Sequence, residues 1–262
     1  MEKTKIDWCD STWNPVTGCL NGCEYCYARG IANRFSGGGE KWSDDNLFVL
    51  DEKFYAEESE KAEPYPYGFM PTLHKYRLDE YANKKCRNIF VCSMADLFGE
   101  WVPDSWIEEI FNACKNAPQH NYLFLTKNPD RYVDLQNKEK LVQSNNMWFG
   151  ASATNENQFI KAIRAFGDLK CNTKTFLSAE PLIEDITTTE YWNDCIISTI
   201  ANWVIVGAET GRRKDKVVPE RGWIRSIVFD CEDEIPVFMK SSLADIWGKP
   251  LIQELPKELK RT

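Results

Sequence analysis

Six short runs of apolar, β-branched and aromatic residues recur along the chain after residue 87. They are NIFVCSM, NYLFLTK, MWFGAS, KTFLSAE, NWVIVGAE and PVFMKSS. Runs of this length that are apolar almost throughout are typical of strands buried on both faces of a parallel sheet. Helical periodicity lies between several of them, which predicts right-handed β–α–β units. We therefore expect an α/β fold, either a doubly wound sheet or a full or partial barrel.

The chain has 262 residues, of which 43% are hydrophobic and 27% are charged, as in an ordinary globular protein. This length favours one domain over two small ones, so we expect 1–262 to be a single domain. The formal net charge of −8 disfavours a protein that wraps DNA non-specifically or binds an anionic membrane. No secretory signal and no run of about 20 apolar residues is visible. We expect a cytoplasmic protein without a membrane partner.

The region before the first apolar run contains a predicted helix followed by a long polar segment. The stretch YARGIANRF predicts a short helix whose apolar face carries Tyr27, Ile31 and Phe35. The following segment, 36–72, begins with SGGGE and is rich in Glu, Tyr and Pro. It is long for a loop inside a compact domain. We interpret it as an insertion that acts as a lid, with a surface elaboration without function as the alternative.

Polar residues follow nearly every predicted strand. In parallel α/β folds the carboxyl ends of the strands carry the functional site, so recurring polar groups there indicate a pocket. The polar residues at these strand ends are Ser93, Asp96, Thr126, Lys127, Ser152, Asn155, Ser178, Glu180, Glu209 and Lys240. Asn155 is also a candidate helix start, because Gln158 follows it at the spacing of a capping pair.

Three cysteines occupy eight residues near the N-terminus, with the spacing C-x3-C-x2-C at Cys19, Cys23 and Cys26. A structural zinc site needs four ligands, but there is no second C-x2-C pair, and His74 and His120 are far apart in sequence. A dithiol redox motif would use Cys23 and Cys26 and leave Cys19 idle. A four-iron cluster normally takes four thiolates, so three would leave one iron open to an external ligand.

The cysteine motif, with aromatic Tyr25 just before its last cysteine, resembles the signature of the radical S-adenosylmethionine superfamily. Residues 8–248 are also similar to a phage and prophage family whose members mostly have no assigned activity. The chain departs from that family in its shorter first gap between cysteines, at GAETG, and at KSS after the last strand. The matching segments are STWNPVTGC, CEYCYA, IFVCSMADLF, FLTKNPDR, LSAEPL, WVIVGAETG and VFMK.

The resemblance implies an enzyme in which Cys19, Cys23 and Cys26 hold a [4Fe–4S] cluster and S-adenosylmethionine chelates the open iron. One electron, from a flavodoxin-like or ferredoxin-like donor, would cleave the cofactor and give a 5′-deoxyadenosyl radical that abstracts hydrogen from a substrate. The fold implied is a partial (β/α)6 barrel, with a first strand near 15–17 ahead of the six runs. The remaining cysteines are scattered, and we expect no second cluster.

Within that resemblance, charge suggests roles for the strand-end residues. Ser93 and Asp96 are candidates for the amino group of the cofactor, and Lys127 could pair with its carboxylate or with an anionic substrate. Tyr25 would lie beside the cofactor. The ribose hydroxyls need carboxylates or small polar groups, and the candidates are Ser152, Asn155, Glu180 and Glu209.

The substrate is the least constrained part of the prediction. The loop TGRRKDK follows Glu209, and Arg212 and Arg213 could grip a phosphate or a nucleic-acid backbone, with Lys240 as a further candidate. A nucleobase or nucleotide, in DNA or free, is one candidate substrate class. The alternatives are a peptide or small metabolite, or a non-catalytic metal-binding phage protein.

Overall fold

A seven-stranded parallel sheet forms the centre of the computed structural model, which describes residues 4–36, 46–57, 59–188, 197–231, 234–248 and 250–260. The sheet curls into a half-barrel with the strand order β1-β5-β6-β7-β8-β9-β10. Its strands are β1 (Ser11–Trp13), β5 (Asn88–Val91), β6 (Asn121–Thr126), β7 (Met147–Ser152), β8 (Lys174–Ala179), β9 (Val204–Val206) and β10 (Val237–Met239). Each of the six predicted runs forms one strand, so the α/β prediction with parallel strands is confirmed.

The first strand of the sheet lies earlier than predicted. β1 pairs in parallel with β5, where Ser11 is opposite Ile89. The residues predicted for this strand instead form β2 (Val16–Thr17), which joins a separate three-stranded sheet with β3 (Phe48–Leu50) and β4 (Thr72–His74). Pro15 separates the two strands, and because proline has no N–H it interrupts a hydrogen-bonded ladder.

Helices connect the strands and cover the convex face of the sheet. The helices are α1 (Tyr27–Phe35), α2 (Asp104–Asn116), α3 (Asp130–Asn137), α4 (Glu156–Gly167), α5 (Ile197–Ile200), α6 (Arg221–Cys231) and α7 (Ala244–Trp247). The larger hydrophobic cluster packs between this layer and the sheet. Within the described part of the chain, no helix is long and apolar enough to cross a membrane.

Helix α1 forms where it was predicted, but its buried face was predicted wrongly. Tyr27 and Phe35 are each more than half exposed, at 54% and 53%. The buried residues are instead Ala28 and Ala32. Ala28 and Ala32 are four residues apart, as are Tyr27 and Ile31 of the predicted face, so periodicity alone could not decide which face packs against the protein. The small alanines allow the closer approach.

The concave face of the half-barrel is filled at its base by aromatic side chains. Trp8 lies 4.8 Å from Phe90 and 6.0 Å from Trp203, measured between ring centroids, and Phe176 is 6.2 Å away. Successive residues of a strand alternate between the two faces of a sheet. The aromatic residues therefore show which strand positions point into the concave side, namely those an even number of residues away from them on the same strand.

The segment predicted as an insertion contacts the cysteine loop (residues 18–26) at its C-terminal end, where Phe69 and Met70 lie against Gly18 and Cys19. Strands β3 and β4 belong to it or border it, and Phe48 stacks on Tyr67 with 3.8 Å between ring centroids. Its residues 37–45 and 58 lie outside the described residues. The predicted lid role stays a prediction.

Candidate functional site

A cavity of about 1100 Å³, its open mouth included, lies at the carboxyl edge of the half-barrel. The aromatic base closes it on one side, and the cysteine loop borders it on another. Eleven of the predicted site residues line it, namely Cys19, Cys23, Tyr25, Cys26, Ser93, Asp96, Lys127, Ser152, Glu180, Glu209 and Lys240. The pocket that the sequence predicted at this edge of the sheet is therefore present.

The cysteine loop is fixed by close backbone contacts on both sides. The Gly18 N–H donates to Met94 O at 2.9 Å, and the Cys19 N–H donates to Phe69 O at 3.2 Å. Gly18 has φ +87°, and a Cβ at this position would lie 2.1 Å from Met70 O. Only glycine fits this position, because it tolerates positive φ and has no side chain to collide with the backbone.

The three cysteines differ in their surroundings. Cys26 is the N-cap of α1, and its Sγ accepts the Arg29 N–H at 3.4 Å. Cys19 lies deeper, where burial and then the nearby Asp96 carboxylate raise the pKa of its thiol to about 12. A thiol in such surroundings stays protonated until a positive ion ligates it, because metal binding deprotonates cysteine.

Asp96 connects the cysteine loop to the strand ends. Its Oδ1 accepts the Thr126 hydroxyl at 2.7 Å and the Phe98 N–H at 3.2 Å, while its Oδ2 accepts the Asn21 amide at 2.8 Å and the Lys127 N–H at 3.0 Å. The side chain is 5% exposed. Four donors from the protein already occupy this carboxylate, so Asp96 positions the cysteine loop rather than offering a free acceptor for an amino group.

Lys127, Ser152 and Ser178 form a row across three neighbouring strands. Ser152 and Ser178 are directly opposite each other in the sheet, and Lys127 Nζ donates to Ser152 Oγ at 3.3 Å. Ser178 is 1% exposed, and its Oγ has no hydrogen-bond partner among the described residues. It points into the concave side because Phe176, two residues earlier, belongs to the aromatic base.

Lys127 brings a cation to this row. No carboxylate of the described residues forms a salt bridge with its Nζ, which instead lies 5.4 Å from the centroid of the Tyr25 ring. An ammonium group and two hydroxyls can donate hydrogen bonds to one acceptor group. The row therefore suits a carboxylate or another anionic group.

Glu180 and Lys240 form an ion pair on the opposite wall of the cavity. They follow β8 and β10, and Gly207 follows β9 between them. A Cβ on Gly207 would lie 3.1 Å from both Glu180 Cγ and Lys240 Cδ. The absence of a side chain at Gly207 leaves room for the pair to meet across the middle strand.

Arg213 does not present a free positive charge to a substrate. Its guanidinium makes two hydrogen bonds of 2.8 Å with the carboxylate of Glu209, and it also lies 3.2 Å from Glu24 Oε2 in the cysteine loop. The Arg213 hydrogen bonds hold the pKa of Glu209 below its usual range. Both oxygens of Glu209 are thus occupied, and the pair joins the loop after β9 to the cysteine loop.

Three predicted site residues do not line the cavity. Asn155 caps α4, where its Oδ1 accepts the Gln158 N–H at 3.0 Å, so the helix-start interpretation holds in place of the ribose role. Arg212 is exposed and outside the cavity lining, and Arg213 is held by its two carboxylates. Arg213 is therefore not free to grip a phosphate, whereas a contact between the exposed Arg212 and a nucleic-acid backbone stays a prediction.

The sequence did not predict Asn21 as a site residue and predicted no specific role for Ser178, although both line the cavity. Ser178 was recognised only as a strand-end residue. Its inward direction follows from strict alternation with Phe176 once the aromatic base is known. Asn21 carried no signal of its own, because its partner Asp96 is 75 residues away in sequence.

Three thiols lie where they could hold a metal group together, because Cys19, Cys23 and Cys26 all line the cavity. Among the residues described, no three His, Cys, Asp or Glu side chains converge in a way that could hold one metal ion. A structural zinc ion needs four ligands around one centre. The cysteines of a four-iron cluster each ligate a different iron, and here three thiols line one cavity.

Replacing Arg213 by glutamine should lower the melting temperature by about 2–4 °C, because Glu209 then keeps a buried charge without its partner. The pair contributes stability above the ordinary glutamate pKa, and this contribution is lost as the pH falls through the lowered pKa of Glu209. The melting-temperature difference between wild type and Arg213→Gln should thus persist at neutral pH and shrink in acid. Arg212→Gln is the control and should change little.

The comparisons with known proteins identify a family and no activity. No curated protein and no solved structure matches the chain. One family model, described as "Protein of unknown function (DUF5131)", matches residues 3–254. Because this match covers almost the entire chain, the protein belongs to the DUF5131 family.

Proposed function

We propose that this protein is a radical S-adenosylmethionine enzyme. The observation that carries the proposal is that Cys19, Cys23 and Cys26 share one cavity with the polar ends of the strands. The half-barrel of parallel strands supports it, because enzymes with such sheets act at the carboxyl edge. Among the described residues no fourth cysteine lines the cavity, which is consistent with an iron left open for a cofactor.

The three cysteines would hold the cluster, and the surrounding residues would orient them. When bound, the cluster and S-adenosylmethionine would supply a one-electron cleavage that produces a carbon radical able to abstract hydrogen from a substrate. Asp96 holds the loop through Asn21, and Gly18 allows the loop to approach the backbone at Met70. Both contacts fix the loop before any cofactor binds, which reduces the reorganisation that binding requires.

The row of Lys127, Ser152 and Ser178 would receive an anionic group of the cofactor or of the substrate. The unpartnered hydroxyl of Ser178 supports this role, since a buried polar group without a partner is costly. Tyr25 lies on the cysteine loop beside Lys127 and would limit the space above the row. The aromatic base below would exclude water from the reacting atoms.

Several sequence-based roles need revision within this proposal. Glu209 is occupied by Arg213, and Asp96 by four donors, so neither offers a free oxygen to ribose or to an amino group. Ser93 Oγ donates to Asn14 Oδ1 at 3.1 Å, which leaves its lone pairs available to a ligand. A nucleobase or nucleotide stays one candidate substrate, now without Arg213 as a residue free to contact it.

The test is anaerobic reconstitution with iron and sulfide, followed by reductant and S-adenosylmethionine. We expect 5′-deoxyadenosine and methionine, measured by mass spectrometry, from wild type and from Cys86→Ala, because Cys86 is exposed and outside the cysteine loop. Cys23→Ala should produce neither. If wild type takes up stoichiometric zinc in place of iron, and no 5′-deoxyadenosine forms with any tested substrate, the protein is a non-catalytic metal-binding protein and the proposal fails.

A further inference from the structure

We propose that the Glu180–Lys240 pair binds the substrate through a neutral group that carries a carbonyl next to an N–H, such as an amide or the lactam edge of a nucleobase. This inference rests on the proposed function, because it assigns this part of the cavity to a substrate. It adds a substrate class and two binding residues.

The pair is built from three neighbouring strands in register. Ala179 of β8 is opposite Val206 of β9, and Val206 is opposite Met239 of β10. One residue further along each strand come Glu180, Gly207 and Lys240. Their positions alternate with residues of the convex core, so all three face the cavity. The sheet therefore presents a carboxylate and an ammonium group side by side above a glycine.

The pair retains hydrogen-bonding capacity that faces the cavity. Lys240 Nζ contacts Glu180 Oε1, whereas Glu180 Oε2 has no hydrogen-bond partner among the described residues. An ammonium group has three protons, so Lys240 can donate further. This distinguishes the pair from Glu209 and Arg213, where both carboxylate oxygens are occupied. The Glu180 and Lys240 side chains are 26% and 14% exposed, so they remain accessible from the cavity.

Charge decides what kind of group the pair can receive. An anion would be attracted by Lys240 and repelled by Glu180, and a cation would meet the opposite balance. A zwitterion would bring two further charges into a partly buried place, and the cost of removing them from water offsets their attraction to the pair. A neutral carbonyl beside an N–H bridges them without separating them, because Lys240 donates to the carbonyl and Glu180 accepts the N–H.

The floor of the cavity favours a flat group. The Trp8 and Phe90 rings line it, and their centroids are 4.8 Å apart. Planar rings pack well on aromatic side chains. A cyclic lactam offers both the flat face and the polar edge, so uridine is a suitable probe. Its N3–H and adjacent carbonyls supply the donor and the acceptors, and 3-methyluridine lacks that donor while keeping the ring.

The experiment measures binding of these probes to the full-length protein by isothermal titration calorimetry, before and after reconstitution. We expect uridine to bind, and 3-methyluridine to bind at least about tenfold more weakly, as expected when a hydrogen bond to a charged group is lost. Inorganic phosphate and glycine should not compete. Glu180→Gln and Lys240→Met should each weaken uridine binding about tenfold or more, whereas Lys115→Met on the exposed surface of α2 should not.

Three results would each overturn the inference: no uridine binding, equal affinity for 3-methyluridine, or unchanged uridine affinity in both variants. The comparison of uridine with 3-methyluridine uses wild type alone, so it stays decisive if a variant does not fold. Uridine binding to a protein that takes up no cluster would refute the proposed function while this inference stands. If the cluster loads and the cofactor is cleaved, but uridine binding does not depend on Glu180 and Lys240, this inference alone is refuted.

Discussion

Replacing Asp96 by asparagine should lower the free energy of unfolding by about 2–4 kcal/mol. The substituted amide keeps one oxygen and turns the other position into a donor. Two of the four donors that Asp96 now receives, those from Thr126, Phe98, Asn21 and Lys127, would then face an NH₂ group. A buried donor without an acceptor retains the full cost of its lost hydration. Urea denaturation followed by circular dichroism measures the change.

The matched control for this change is Asp79→Asn, because Asp79 is exposed. It should alter the free energy of unfolding by less than about 0.5 kcal/mol. If Asp96→Asn is as mild as the control, the carboxylate does not join the cysteine loop to the strand ends. If the Asp96→Asn protein still folds, we expect its cysteine loop to be disordered. It should then take up less iron on reconstitution than wild type.

Replacing Gly18 by alanine should destabilise the protein by about 2–5 kcal/mol or prevent folding. Two physical effects combine at this position. A non-glycine residue is strained at φ +87°, and the new Cβ would lie 2.1 Å from Met70 O and 2.7 Å from Pro71 N. The neighbouring atoms belong to the backbone, so no side chain can rotate away to relieve the contact.

Gly22→Ala separates the two effects. Gly22 also has positive φ, at +69°, but a Cβ there would meet nothing within 4 Å. It should therefore show the backbone strain alone, about 1 kcal/mol. Thermal unfolding of both variants gives the comparison. If Gly18→Ala costs no more than Gly22→Ala, the close approach of the cysteine loop to Met70 is absent in solution.

The strands of the half-barrel could be predicted because burial on both faces leaves a strong local signal in the sequence. Each apolar run is short, and the polar residues after it mark the carboxyl edge. The first strand could not be placed in the same way, because Ser11–Trp13 contains two polar residues in three. Its position is set by pairing with β5, which lies more than 70 residues later.

The same distinction between local and distant signals applies to the candidate site. Residues such as Lys127, Ser152 and Glu180 directly follow strands, and alternation alone directs them into the cavity. The partners of Asp96 and Arg213 lie in distant segments, so sequence could not show that these charges are already occupied. Asn155 carried two compatible signals, a helix cap and a ligand, and only its contacts distinguish them.

Electron paramagnetic resonance of the reduced, anaerobically reconstituted protein tests the central claim most directly. We expect about four irons per chain and a [4Fe–4S]⁺ signal that changes when S-adenosylmethionine is added, because one iron has no cysteine ligand. The signal should be lost in Cys19→Ala, Cys23→Ala and Cys26→Ala and kept in Cys171→Ala, a change at an exposed cysteine. A full signal in any of the three loop variants, or a wild-type spectrum unaffected by the cofactor, would contradict it.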